Sequence, residues 1–419
     1  MSDSAFVSRP YHRLWLLGQA RDLLTFFGRN SLNPNGGFYT LDDAGQPMMT
    51  ALRGKGPVQE LFYTCRMVHC YAAGHLLGHP GAKRMVDQGM AYLLDHHHDR
   101  ENGGFYWGVD EAGAVRPEKL AYGHAFVLLA AASAQEIGHP DAAWLRDLAT
   151  ATLLTHFWDD AAGPLREEFT EDWTPLSDYR GQNANMHAVE ALMAASEAFA
   201  DPQYLRMAER IADLIINRHA RAAGWVVIEH FNEDWTPDRS YVGDPIFRPS
   251  GTTPGHSMEW ARLLIQLWHL GGKAHGWMPE AAAALFRTAY KTGWDQTHGG
   301  FFYTLDFKTQ PEQKQRLWWP ACEAAAAAAS LHATTGDMDF ELLYRDIWAM
   351  LARDFMDPQG GWWPEAQSGR GTGTIPFSGK PDIYHALQAC LIPLLPPDQG
   401  LTHALSDAGV IAALIQKPV

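Results

Sequence analysis

Residues 35–42 read NGGFYTLD, residues 102–110 read NGGFYWGVD, and residues 299–306 read GGFFYTLD. A phrase that returns in a chain without low-complexity bias marks a structural repeat, and its spacing sets the size of the unit. Gly-containing turns recur at Gly37, Gly104, Gly163, Gly224, Gly300 and Gly361, 59 to 76 residues apart. The copies at Gly163 (AAGPLREEF) and Gly224 (AAGWVVIEHF) keep a single Gly. Each turn follows an amphipathic stretch: 11–29, 81–98, 141–157, 202–218, 279–293 and 339–355. In LRDLATATLLTHF, for example, Leu145, Leu148, Leu153 and Leu154 hold the three- and four-residue spacing of one apolar helix face.

A second kind of stretch follows each turn: 57–77, 118–136, 184–199, 255–271, 320–334 and 381–395. These are richer in Ala and more evenly apolar, as in ACEAAAAAASLHA, and a helix with so little polar face is expected to be buried on most sides. The stop and start signals GHPG, GHPD, ADPQ and GD separate each of these helices from the next amphipathic one. Twelve helices in two alternating classes predict an all-α (α/α)6 barrel, a toroid of six helical hairpins with short β-hairpins in the connecting loops. An open solenoid is the competing arrangement, and the absence of a polar capping repeat speaks against it. No stretch has linker composition, so a single domain over 1–419 is expected, with 397–419 as a peripheral tail.

The bulk numbers narrow the function. A net charge of −15 argues against nucleic acid or an anionic membrane surface as the partner. No apolar run approaches the roughly 20 residues that span a bilayer. No secretory signal is visible in MSDSAFVSRPYHRLW, and Cys65, Cys70, Cys322 and Cys390 lack CxxC spacing, so free thiols in a cytoplasmic protein are expected. The expected partner is a small molecule, bound by a monomer or homo-oligomer.

If the second-class helices are buried, their ionisable residues are the informative exceptions. Arg66, His124, His187, His256, Glu323 and His385 follow one another at 58 to 69 residues and so track the repeat. In a ring, corresponding positions converge on one end of the axis. Asn183 lies four residues before His187, Glu190 and Glu259 three after His187 and His256, and Asp382 three before His385, so each can share a helix face with its imidazole. Histidines in a first helical turn meet the positive end of the helix dipole, which favours the neutral base. The run His96-His97-His98 ends an amphipathic helix, where a C-terminus that favours cations accounts for it without metal.

Neutral imidazoles with Arg and Asn suit proton abstraction beside a carbonyl, where a base near neutral pKa and donors for the developing oxyanion are needed. Trp107, Trp318, Trp319, Trp362 and Trp363 would give sugar rings apolar faces. A sugar isomerase or epimerase without metal or cofactor is the expectation. A glycoside hydrolase, with Glu259 and Glu323 as its carboxylate pair, is the alternative from another class.

FYTCRMVHCYA, GQNANMHAVEAL, HFNEDWTPDRSY, GTTPGHSMEWARL and SGKPDIYHALQACLIPLLP together resemble the N-acylglucosamine 2-epimerase superfamily, in order, from about residue 35 to 396. Within it they are most similar to the mannose isomerase and sulfoquinovose isomerase branch. The resemblance implies an (α/α)6 barrel and interconversion of D-mannose with D-fructose, or of D-lyxose with D-xylulose, through a cis-enediol without metal. It implies that His385 shuttles the proton between C1 and C2 and that His256 opens the pyranose ring or serves the opposite face. It places Arg66, Tyr122, Asn183, His187, Glu259, Trp319 and Glu323 at substrate-contacting or polarising positions, with Glu229 orienting a histidine. A 2-epimerase outcome stays open, since both His256 and His385 are present. A sulfonated substrate would draw on Arg53, Lys55 and Arg248.

Overall fold

The glycines of the repeated phrase sit where only glycine is comfortable. Gly103 and Gly104 have φ of 78° and 73°, and Gly299 and Gly300 have 80° and 88°. A residue just ahead of the pair closes the turn. In a computed structural model that describes residues 5–49, 57–369 and 377–415, Asp99 Oδ1 accepts from the N–H groups of Glu101 and Asn102, and Asp295 Oδ1 from that of Thr297. The aromatic residue that follows drops into the core: Phe38, Phe105 and Phe301 are buried and bridge antiparallel to Leu32, His98 and Trp294.

The second oxygen of the turn carboxylate faces a cation from the segment that leads into the next buried helix. Lys119 Nζ donates to Asp99 Oδ2 at 2.7 Å, and neither side chain is exposed. Arg316 Nε lies 3.7 Å from Asp295 Oδ2, and Lys380 pairs with Asp357. In the first repeat Gln59 makes the link as an amide, accepting from Phe38 N–H and donating to the Gly36 carbonyl and Tyr92 hydroxyl. Burial alone raises the Asp99 carboxyl, but the bonds from Lys119 and the turn N–H groups outweigh it and bring it down to about 2. This latch ties the turns at Gly37, Gly104, Gly300 and Gly361 to the two or three residues before a helix start.

The helices lie where the periodicity predicts them. The amphipathic class comprises α1 (Pro10–Asn30), α3 (Ala82–Tyr92), α5 (Ala142–Thr152), α7 (Pro202–Ala212), α9 (Trp277–Gly293) and α11 (Met338–Asp354). The apolar class comprises α2 (Leu61–Leu76), α4 (Ala121–Glu136), α6 (Gln182–Phe199), α8 (Pro254–Leu270), α10 (Trp318–Thr335) and α12 (Ile383–Leu391). The last turns of α3 and α5 widen to π-helix. Two short helices, α13 (Leu401–Ser406) and α14 (Ala408–Ile415), follow. No described helix is long and apolar enough to cross a membrane.

Chain contacts group into two compact units. In the one formed by Leu24–Leu214 and His230–Pro237, α2, α4 and α6 pack side by side, backed in turn by α3, α5 and α7. Residues 180–181 pair antiparallel with 230–231 at the head of α6. In the unit formed by the residues before Leu24, 215–229 and those from Asp238 on, α8, α10 and α12 pack in the same way, with α9 on α8 and α11 on α10. The apolar class is buried as expected, from Trp318 to Ala328 without interruption in α10.

Changing Lys119 to Met should leave Asp99 buried without its cation and lower the unfolding free energy by about 3–5 kcal/mol, read from urea denaturation at pH 7.

Candidate active site

Helix starts sort the in-register polar residues more finely than a sixty-residue ruler. The sixth residues of the six apolar helices are Arg66, Phe126, His187, Glu259, Glu323 and Gln388, all buried. His256 and His385 are third residues of α8 and α12, and His124 is the fourth residue of α4. The last of these does not belong with the others.

His124 is fully buried, with Nδ1 on the Leu120 carbonyl and Nε2 accepting from the Phe105 N–H of the Gly turn. Asn185, the fourth residue of α6, does the same work: its Oδ1 accepts from Leu165 N–H and its Nδ2 donates to the Leu165 and Gly181 carbonyls. His124 is therefore a clamp for the turn, with both ring nitrogens engaged. Burial pushes it down to about 4 and keeps it neutral. Burial likewise pushes His97 down to about 4, with Nδ1 donating to the Tyr106 carbonyl, so this member of the His96-His97-His98 run stays neutral.

In the unit that carries α8, α10 and α12, two histidines each hold a carboxylate at Nδ1. His256 Nδ1 lies 2.8 Å from Glu229 Oε2, while Glu229 Oε1 accepts from Thr253 N–H at 3.0 Å. His385 Nδ1 lies 2.7 Å from Glu323 Oε1. The Trp319 ring stands between the imidazoles, its centroid 5.0 Å from His256 and 5.8 Å from His385. Gly255 makes room for it, since a Cβ there would come within 2.4 Å of the indole. All four ionisable side chains are buried. With Nδ1–H committed to a carboxylate, each ring presents Nε2 as the nitrogen that exchanges protons.

The partners on the helix face are therefore not the ones spacing suggested. Glu259 is 3.9 Å from Arg262 Nη2, and Arg262 Nε donates to Glu323 Oε2 at 3.1 Å. Asp382 accepts from Tyr384 N–H and caps α12. Arg262 stands in the quoted motif GTTPGHSMEWARL, yet sequence reasoning passed over it; a basic residue on an otherwise buried helix was the signal. Glu259 and Glu323 hold one guanidinium in common, which is not how a glycosidase deploys its acid and nucleophile.

In the unit that carries α2, α4 and α6, Arg66 Nη2 donates to the Tyr122 hydroxyl at 2.9 Å and lies over the Phe62 and Phe126 rings at 5.1 and 4.6 Å. Tyr122 meets His187 edge-on at 5.1 Å, and His187 Nδ1 is 3.9 Å from Glu190. Asn183 Oδ1 is buried without a hydrogen-bond partner among the described residues. His69, one turn beyond Arg66, bonds Ser133 and is accounted for there. Of the tryptophans read as a sugar-facing rim, Trp107 stacks on Phe62, Trp362 packs against Trp348, and Trp363 carries Lys380 over its ring. Arg53 and Lys55 lie outside the described residues, and Arg248 closes a turn on the Asp244 carbonyl.

Repeated pairs of amphipathic and apolar helices, two of the apolar ones carrying a histidine bonded to a carboxylate, belong here to a protein of the (α/α)6-barrel isomerase class. The chain belongs to the N-acylglucosamine 2-epimerase family, whose model matches residues 36–389. It is 38% identical to a D-mannose isomerase of Pseudomonas cannabina pv. alisalensis over 96% of this chain and 97% of that one. It is 39% identical to a D-mannose isomerase of Thermobifida fusca over 96% and 99%. A solved structure of a D-mannose isomerase matches with a TM-score of 0.84 at 30% identity, over 94% of this chain and 99% of the other.

Replacing His124 with Asn, the residue its counterpart Asn185 already uses, should leave turnover per folded molecule unchanged. The substitution should also flatten the acid limb of stability. A folded His neutral down to about 4 contributes fully above the unfolded value near 6.5 and loses up to about 3 kcal/mol as pH falls between the two. Urea midpoints at pH 5 and 7.5 report the difference.

Proposed function

We propose that the chain is an aldose–ketose isomerase that interconverts D-mannose and D-fructose, with D-lyxose and D-xylulose as further substrates. The observation that supports it is the pair of buried Glu–His dyads on either side of Trp319. The identity to D-mannose isomerases over nearly the whole of both chains narrows the sugar. Four buried free cysteines suit a cytoplasmic enzyme.

Aldose and ketose are isomers, so the chemistry is proton traffic alone. His256, its Nδ1 held by Glu229, moves a proton from the anomeric hydroxyl to the ring oxygen and opens the pyranose. His385 Nε2 then takes the C2 proton, which the carbonyl at C1 acidifies. The electron pair forms the enediol double bond, and O1 takes up a proton. The imidazolium returns its proton to C1 while O2 loses its own, leaving the 2-ketose. Glu323 steadies the imidazolium charge while it lasts. Arg66, Tyr122, Asn183, His187 and Glu259 are assigned to the sugar hydroxyls and the developing oxyanion. Trp319 offers an apolar face to the carbon chain.

Incubation with mannose in D2O, followed by proton NMR and sugar chromatography, tests the reading. Fructose is expected as the first product, carrying the C2 proton at C1 wherever transfer outruns exchange of the imidazolium with solvent and deuterium there otherwise. Glucose without fructose would instead make it a 2-epimerase, and formation of neither sugar would sink both. His385→Ala should remain folded and lower turnover at least about 100-fold. Retained turnover in that variant would refute the base assignment.

A further inference from the structure

Glu259 and Glu323 raise an electrostatic problem that the dyads alone do not solve. Both are about 1% exposed, and polar atoms of Glu259, Glu323 and His385 all lie within 4.8 Å of one another. Two carboxylates buried that close do not both stay ionised without a counter-charge, and one of them takes up a proton. A protonated Glu323 would be a donor. Facing His385 Nδ1 at 2.7 Å, it would leave the imidazole proton on Nε2, the nitrogen that must be bare to act as a base.

Arg262 supplies the counter-charge. It projects from α8 one turn after Glu259, is itself 4% exposed, and divides its guanidinium between the two acids. Nε donates to Glu323 Oε2 at 3.1 Å, and Nη2 stands 3.9 Å from Glu259 Oε1. Glu323 thus receives Arg262 on one oxygen and His385 on the other, and Arg262 reaches the imidazole through it. A guanidinium is the group for this place, because it stays charged when buried and its planar fork meets two acceptors at once.

We propose that Arg262 is a positioning residue that sets the tautomer of His385: by holding Glu323 ionised beside Glu259, it keeps the imidazole proton on Nδ1 and Nε2 free to accept. The inference rests on the proposed role of His385 as base. It adds a claim about the resting enzyme that can be read without turnover.

The experiment uses the full chain labelled with 15N-histidine, the His385 signals being assigned by their loss in His385→Ala. In the wild type, long-range 15N–1H correlation should find the His385 proton on Nδ1. In Arg262→Ala it should move to Nε2. With mannose as substrate, kcat should fall roughly 100-fold or more, since a base in the wrong tautomer loses most of its function. KM should stay within about threefold, because Arg262 is not assigned to the sugar. Methylguanidinium should enter the space left by the side chain and recover at least about tenfold in kcat. If the Ala variant does not fold, Arg262→Lys and Arg262→Gln take its place, and Lys, which keeps the charge, should exceed Gln by about tenfold in kcat. An unchanged tautomer in folded Arg262→Ala, a loss confined to KM, or equal turnover of the Lys and Gln variants overturns the proposal. A wild type that converts mannose into neither fructose nor glucose removes the functional reading instead, and the tautomer measurement still decides the role of Arg262.

Discussion

The organising interaction is a buried carboxylate with two oxygens put to different uses. At Asp99 one oxygen closes the Gly turn by accepting backbone N–H groups, and the other receives Lys119 from the lead-in to α4. A turn that merely connected two helices could drift along either of them. Once latched, it fixes where the next apolar helix begins, and hence which side chains occupy its third, fourth and sixth positions. Desolvating an ion pair is costly, so its net gain in stability is small, whereas its loss on one side is large. Such pairs serve position more than stability.

The fourth repeat is the instructive exception. Its turn, AAGWVVIEHF, has lost the second glycine, and here Glu229 meets the head of α8 by accepting from Thr253 N–H. The other oxygen of Glu229 holds His256. Like Asp99, Glu229 gives one oxygen to the backbone and the other to a basic side chain, but both of its partners come from the head of α8. A carboxylate that divides its two oxygens between a backbone N–H and a basic side chain thus recurs at the Gly turns and at His256.

Much of this was legible in the sequence because it is periodic. Helix classes, their limits and the register of the buried polar residues follow from spacing, since 3.6-residue periodicity and Gly turns are local properties. What spacing could not resolve was a difference of one to three residues within the register. His124 and His187 are 63 apart and look equivalent, yet the fourth position clamps a turn and the sixth belongs to another set. Partners were the other blind spot. Glu259 and Asp382 lie a helical turn from His256 and His385, but the carboxylates on those rings come from Glu229 and Glu323, 27 and 62 residues away. Neighbours along a helix compete with groups from facing elements. A residue at a helix start, such as Asp382, is claimed first by the backbone N–H groups there.

Among the described residues, two buried ion pairs set a histidine at hydrogen-bond distance from a carboxylate. The pairs Lys119–Asp99 and Lys380–Asp357 join an ammonium to a carboxylate. Replacing the ammonium with an imidazole brings the cationic partner's ordinary range to neutrality, and the carboxylate then offsets part of the cost of charging it. Burial alone does the reverse, as His97 and His124 illustrate: without a carboxylate they are pushed down to about 4 and serve as neutral hydrogen-bonding struts. His256 and His385 are the two that combine burial, a carboxylate on Nδ1 and an aromatic wall at Trp319. Buried histidines of this fold therefore stand in two settings, and what separates them is whether the partner of Nδ1 is a backbone carbonyl or a carboxylate.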